Sequence, residues 1–191
     1  MKKILQLVLA LTVISALCAA VLALVNDVTR GPIAENAARR AQLAARQVLP
    51  PEVRRVETLR DPADADVTVY AGYAENGLAG YAVPGASEAG YGGRILLMVG
   101  LTPDRTVVGY EKLAANETPG LGAKLADDDF RRQFAGRPGL GLKVRKDGGE
   151  VDAITGATIT SRAVCGAIAD ACRRLDRVVR AHSDTKKENA R

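Results

Sequence analysis

Residues Ile4 through Val25 form one uncharged run whose only clearly polar members are Gln6, Thr12 and Ser15. Coiled as a helix, that run extends about 33 Å, close to the hydrocarbon thickness of a bilayer. No feature constrains the chain more, because a stretch of this length without a charge has two ordinary uses: a membrane span or a cleaved signal. A signal's apolar region is normally about 7–15 residues. In Ser15-Ala16-Leu17-Cys18, Leu17 stands where a lipoprotein signal needs a small residue. A permanent single-pass anchor over residues 1–25 is therefore expected, with the working part of the chain after Val25. Charge does not settle its orientation: Lys2 and Lys3 precede the span, while Arg30, Arg39 and Arg40 follow it.

The 191 residues leave room for one domain of ordinary size beside the anchor. The net charge is +5, of which Lys2 and Lys3 supply two, leaving +3 on the rest. That balance is too mild to argue for nucleic acid, and no interleaving of aromatic and basic residues supports it, so no nucleic-acid partner is expected. A weakly basic domain tethered at a bilayer suits acidic membrane lipids. Cys165 and Cys172 lie about 10 Å apart along one helix, too far for a disulfide within it. With Ile168, Leu175 and Val179 they form one apolar stripe, the pattern of packed free thiols. His182 sits in a polar tail, and no cluster of metal-ligand spacing is apparent, so no metal is expected.

Along the chain, 26–51 reads as a juxtamembrane segment in which 33–49 is helical and Pro50-Pro51 ends the helix. A domain over 52–181 follows, and 182–191 reads as a disordered tail. Within the domain, Val67, Val69 and Ala71 alternate with polar neighbours, and Asn76-Gly77 signals a hairpin into 78–83. Residues 85–93 read as a glycine-rich loop, and 94–101 as a buried strand whose partner is 106–113. A short helix is expected over 127–134. A second hairpin, 140–145 with 150–154, turns at Asp147-Gly148-Gly149, and a final helix covers 161–181. Strands followed by helices, without β-α-β alternation, predict an α+β fold with antiparallel strands and flanking helices.

The second hairpin delivers Asp152-Ala153-Ile154-Thr155-Gly156-Ala157-Thr158 to the start of the final helix. A Gly-Ala pair among hydroxyl residues turns the chain with little bulk, and a helix N-terminus beyond it favours an anion. The residues themselves leave two readings open: an anion site or a capped helix start.

The run D-A-I-T-G-A-T resembles the flavinylation motif D-x-x-[S/T]-G-A-T of FMN-binding domains. Other segments resemble the same family in the same order: Asn26–Ile33 its N-x-x-T-x-x-P-I, Gly90–Gly100 its G-Y-x-G-x-I-x-x-x-V-G, Glu117–Gly122 its E-T-P-G-L-G, and Gln133–Gly136 its Q-F-x-G. Within the family, the chain most resembles the G subunits of Rnf-type (Rsx) ion-translocating ferredoxin–NAD oxidoreductases. The C subunit of the sodium-pumping NADH–quinone reductase shares the motifs and is the alternative, with a non-redox membrane-anchored scaffold as the rival class.

The resemblance implies a subunit that relays electrons within a larger translocase and turns over no substrate of its own. It implies one FMN esterified through its phosphate to Thr158 by a flavin transferase, and a domain on the periplasmic (outer) face of a bacterial inner membrane. The implied partners are the other membrane and peripheral subunits of the complex. Gly156 and Ala157 would admit the cofactor, with Thr155 and Thr160 bonding the phosphate. Asp152 is either a recognition mark for the transferase or a turn-former. The loop carrying Glu117, Thr118, Leu121 and Gly122 is implied as the ring's other wall, with a purely structural turn as the alternative. Where the family often has histidine before that loop, Ala114, Ala115 and Asn116 stand.

Overall fold

The computed structural model describes residues 2–61 and 64–188. Helix α1 runs without interruption over Lys2–Val48 and contains Pro32. Among the described residues it is the one helix long and apolar enough to cross a membrane. The juxtamembrane helix was expected over 33–49; α1 instead runs on continuously from the apolar span through 26–32. Proline removes one amide donor but leaves φ helical, so the remaining ladder continues past it. The Thr29 hydroxyl folds back onto Val25 O at 2.7 Å rather than opening the backbone.

Residues 1–40 and 41–191 form separate compact units. In the second, five antiparallel strands lie in chain order, β1 (Arg55–Asp61), β2 (Asp64–Ala74), β3 (Gly77–Gly90), β4 (Gly93–Leu101) and β5 (Val107–Ala115). The hairpin at Asn76-Gly77 forms as expected, with Ala74 opposite Gly77. Val69 and Ala71 are fully buried; the side chain of Val67 lies outside the described residues. Strand β1 had no counterpart in the sequence reading, and 85–93 is not a loop: β3 continues to Gly90 and turns at Tyr91-Gly92 into β4.

Alternation explains why β4 is apolar from Ile95 onward. Ile95, Leu97, Val99 and Leu101 face one core, while Met98 joins Tyr70 and Ala82 against Ala44, Ala45, Val48 and Leu49 on the other face. The sheet is thus covered on both sides, by the last turns of α1 and by helix α3 (Thr158–Glu188). Burying both faces demands apolar residues at both parities. Close approach sets two glycines: a Cβ on Gly100 would stand 2.1 Å from Val48 O, and one on Gly85 2.1 Å from Ala167 O. Asp170 of α3 fixes that contact by accepting the Ala86 N–H at 3.0 Å.

The other departures lie after β5. Helix α2 covers only Asp128–Arg131, continued by a 3-10 turn over Arg132–Phe134. The second hairpin does not form. Val144 and Val151 make one parallel bridge, and a 3-10 turn, Arg145–Asp147, occupies the expected turn. Gly148 and Gly149 close it through N–H bonds to Arg145 O and Val144 O, so the segment loops back beside itself rather than pairing antiparallel. Helix α3 begins at Thr158 and continues through 182–188, where the sequence suggested a disordered tail; 189–191 lie outside the described residues. The three cysteines are free, and Cys165 and Cys172 are buried in the stripe expected of them.

Candidate functional site

The D-A-I-T-G-A-T run is held from inside by its own continuation. Ser161 is fully buried: its Oγ accepts the Ile154 N–H at 3.0 Å and donates to Ala157 O at 3.0 Å. One hydroxyl thereby staples both ends of the turn. Ala157 N–H bonds Ile154 O at 2.9 Å, and between them Gly156 takes φ +77°, a left-handed conformation in which a side chain is strained. The first helical bond of α3 runs from Ser161 N–H to Ala157 O. The amides of Thr158, Ile159 and Thr160 precede it and have no carbonyl one turn back.

Thr158 opens α3 half-exposed, with Thr155 and Gly156 exposed beside it and Ala157 buried beneath. Thr160 goes elsewhere. Two residues along a helix turn the side chain by about 200°, which sends Thr160 inward, fully buried, with its hydroxyl donated to Glu117 Oε2 at 2.6 Å. Thr160 was expected beside the phosphate with Thr155; its donor here serves Glu117 in the interior.

Glu117 collects three segments. Besides Thr160 it accepts the Gly92 N–H on Oε1 at 3.2 Å, and a Cβ on Gly122 would stand 2.4 Å from its Oε2. The carboxylate therefore clamps the β3–β4 turn, the 117–122 loop and the first turn of α3, and Gly122 is needed because nothing larger fits under it. Beyond the clamp, Thr118 and Leu121 face outward, Leu121 at 44% exposure. A Cβ on Gly156 would lie 3.1 Å from Leu121 Cδ2, so that leucine borders the turn. Of the loop residues expected at a cofactor, Thr118 and Leu121 lie on the open side, and Glu117 and Gly122 form the support behind them.

Asp152 is exposed, and its carboxylate pairs with Arg145 Nε at 2.6 Å. Its backbone is gripped by Gln133, whose Oε1 accepts the Asp152 N–H at 2.7 Å and whose Nε2 donates to Asp152 O at 3.3 Å. Gln133 stood in the sequence as part of Q-F-x-G without a role; this paired amide contact is that role. Lys146 went unnoticed altogether. Its Nζ lies 3.3 Å from Thr158 Oγ1, delivered by the 3-10 turn Arg145–Asp147. Arg162 locks that turn by a two-pronged bond to Asp147, Nε to Oδ2 and Nη2 to Oδ1, each at 2.7 Å. The guanidinium holds the Asp147 carboxyl below the usual carboxylate range, and the carboxylate raises Arg162 in turn. An Asp-Gly-Gly turn is legible in sequence, but its folding back over the helix start is not.

The arrangement is an accessible hydroxyl beside an ammonium, opening amides of a long helix and a bulk-free glycine, with an apolar leucine at the border. That donor set suits a phosphorylated group. Residues 90–173 match the FMN-binding domain family, a span from the β3–β4 turn into α3 that contains this site. The chain is 40% identical to the G subunit of an ion-translocating oxidoreductase complex of Cereibacter sphaeroides, over 84% of this chain and 78% of the relative. It is 33% identical to the G subunit of the Na(+)-translocating ferredoxin:NAD(+) oxidoreductase complex of Acetobacterium woodii, over 87% and 89% respectively. Its fold is like the crystal structure of the C subunit of the Na(+)-translocating NADH–quinone reductase of Parabacteroides distasonis, with TM-score 0.53, 20% identity, and coverage of 75% and 92%. The fold is that of an FMN-binding domain. The chain belongs to the family of G subunits of ion-translocating oxidoreductase complexes.

Proposed function

We propose that this chain is the membrane-anchored flavin subunit of an Rnf-type ion-translocating ferredoxin–NAD oxidoreductase, and that it carries FMN covalently on Thr158. The observation that carries the reading is Thr158 itself. It is half-exposed at the first position of α3, it matches the acceptor position of D-A-I-T-G-A-T, and Lys146 Nζ lies 3.3 Å from its hydroxyl. The residues around it fit the group: the opening amides and Lys146 suit a phosphate, Gly156 leaves the turn uncovered, and Leu121 offers an apolar border.

In maturation, Thr158 Oγ1 forms a bond to the phosphorus of an activated flavin nucleotide. The threonine gives up its hydroxyl proton, and the donor's leaving group departs from phosphorus with the displaced electron pair. A dedicated flavin transferase supplies that step. The isoalloxazine ring, once bound, supplies the redox chemistry, and the protein supplies position and tuning. In turnover Thr158 only tethers, Ser161 holds the turn, and Glu117 fixes the loop that bears Thr118 and Leu121. The helix N-terminus contributes roughly 0.3–1 kcal/mol toward an anion, too little to retain FMN, so retention rests on the ester.

The domain lies on the periplasmic face of a bacterial inner membrane, with acidic lipids and the other subunits of the complex as its surroundings. Protease added outside spheroplasts should then digest the domain, and protection from it would reverse the orientation. Intact mass of the membrane-expressed chain tests the cofactor: a gain of one FMN only when the transferase is present supports the reading, and no gain in its presence rejects it.

A further inference from the structure

We infer that Lys146 is the counter-cation of the phosphate on Thr158, which makes the Arg145–Asp147 turn a phosphate-holding arm of the site. The inference rests on the covalent-FMN reading above. Asp152 is taken by Arg145 at 2.6 Å, Asp147 by Arg162 at 2.7 Å and Glu150 by Arg137, while Glu117, on the inner side of the helix, is engaged by the Thr160 hydroxyl and the Gly92 N–H. Lys146 has no ion pair among the described residues. Its ammonium is instead held 3.3 Å from a neutral oxygen, the Thr158 hydroxyl. A long exposed lysine gains little by ordering itself on a neutral hydroxyl, whereas an anion at the same place would make the contact charge-assisted.

The arm is also built rather than incidental. Arg162 lies one turn beyond Thr158 on the same helix, and its two-pronged hold on Asp147 ties the backbone that carries Lys146 to the backbone that carries the acceptor. Gly148, at φ +79°, ends the 3-10 turn in a conformation that keeps its chain reversal tight, with its N–H on Arg145 O at 3.1 Å. A phosphodiester keeps one full negative charge at neutral pH. The helix end offsets only part of it, and the Asp147, Glu150 and Asp152 carboxylates would oppose it if their arginines did not neutralise them. Lys146 is the group at the acceptor atom with charge to spare. It acts as a positioning residue.

The test compares full-length wild type, Lys146→Met, Lys146→Arg and, as a neighbouring-cation control, Lys143→Met. Each is expressed in membranes with the flavin transferase and purified in detergent. Intact mass against time gives the rate of FMN attachment, and phosphorus-31 NMR of the attached phosphate reports its surroundings directly. Lys146→Met should slow attachment about threefold to tenfold and shift the phosphorus resonance. Lys146→Arg should restore both, and Lys143→Met should resemble wild type. Raising salt to about 1 M should move the wild-type resonance toward that of Lys146→Met, because the pair is exposed to screening. A side chain that merely supported the fold would not give that salt response. If Lys146→Met is labelled at the wild-type rate with the same resonance at low and high salt, the inference is overturned while the flavoprotein reading stands. If wild type itself gains no FMN, both fall.

Discussion

Glu117 and Thr160, 43 residues apart in sequence, share a 2.6 Å hydrogen bond that joins the support of the 117–122 loop to the first turn of α3. The bond places a loop from the end of the sheet and the acceptor-bearing turn in one rigid frame. Thr160→Val strands a carboxylate oxygen, and Glu117→Gln weakens both its bonds, so each should cost about 1–3 kcal/mol. Because the two act through one contact, the double variant should cost less than the sum of the singles, with coupling of about 0.5–3 kcal/mol. Denaturant unfolding of the four proteins measures it, and strict additivity would show that the contact is not formed.

Gly122→Ala carries the same frame to a different readout. Its new Cβ would lie 2.4 Å from Glu117 Oε2 and 2.8 Å from Thr160 Oγ1, so one of the two must move. The variant should lose about 1–3 kcal/mol. With FMN attached, its visible absorption should differ from wild type although the mass gain is unchanged. An identical spectrum would confine the loop to a structural role.

Much of the fold could be read from residues whose signals are local. Asn76-Gly77 marks its hairpin, and the unbroken apolar run of β4 marks a strand buried on both faces. What failed was set by contacts distant in sequence. Gly85 looked like loop chemistry, yet it is a strand residue whose missing side chain admits α3. Strand β1 is an edge strand, and its many charged residues conceal the pairing that defines it. The expected start at residue 33 missed that α1 is continuous through 26–32, Pro32 included. At the site, Thr158 was legible from the motif, but the inward turn of Thr160 follows from the helix beginning at Thr158 rather than 161. The contacts of Lys146 and Gln133 span 12 and 19 residues and leave no periodic trace.

Acid should release the Asp147–Arg162 lock. The folded pKa of Asp147 is depressed by its hydrogen bonds to Arg162, so its contribution is present above the unfolded value of about 3.9 and is lost as pH falls through the folded value. Thermal melting of wild type and Asp147→Asn should therefore differ near neutrality and converge in acid. A gap that persists or widens in acid would contradict the assignment.

Burial raises the thiols of Cys165 and Cys172 to about 11. At pH 8 only about one molecule in a thousand would carry the thiolate at either position, against roughly a quarter for an unperturbed thiol. Neither should be alkylated by iodoacetamide in the folded chain, and both should react once it is denatured. Rapid labelling of the native protein at either residue would show that the helix–sheet core opens.

The central claim is attachment at Thr158, and in-gel flavin fluorescence tests it most directly. Wild type, Thr158→Val and Thr160→Val are expressed with the flavin transferase and denatured, so that only covalently held flavin stays with the band. Thr158→Val removes one hydroxyl while keeping the branched shape, and its band should be dark. Wild type should fluoresce, and so should Thr160→Val at whatever level its stability permits, because the Thr160 hydroxyl faces Glu117 inside the domain. A fluorescent Thr158→Val band beside a dark Thr160→Val band would put the bond two residues away and contradict the account.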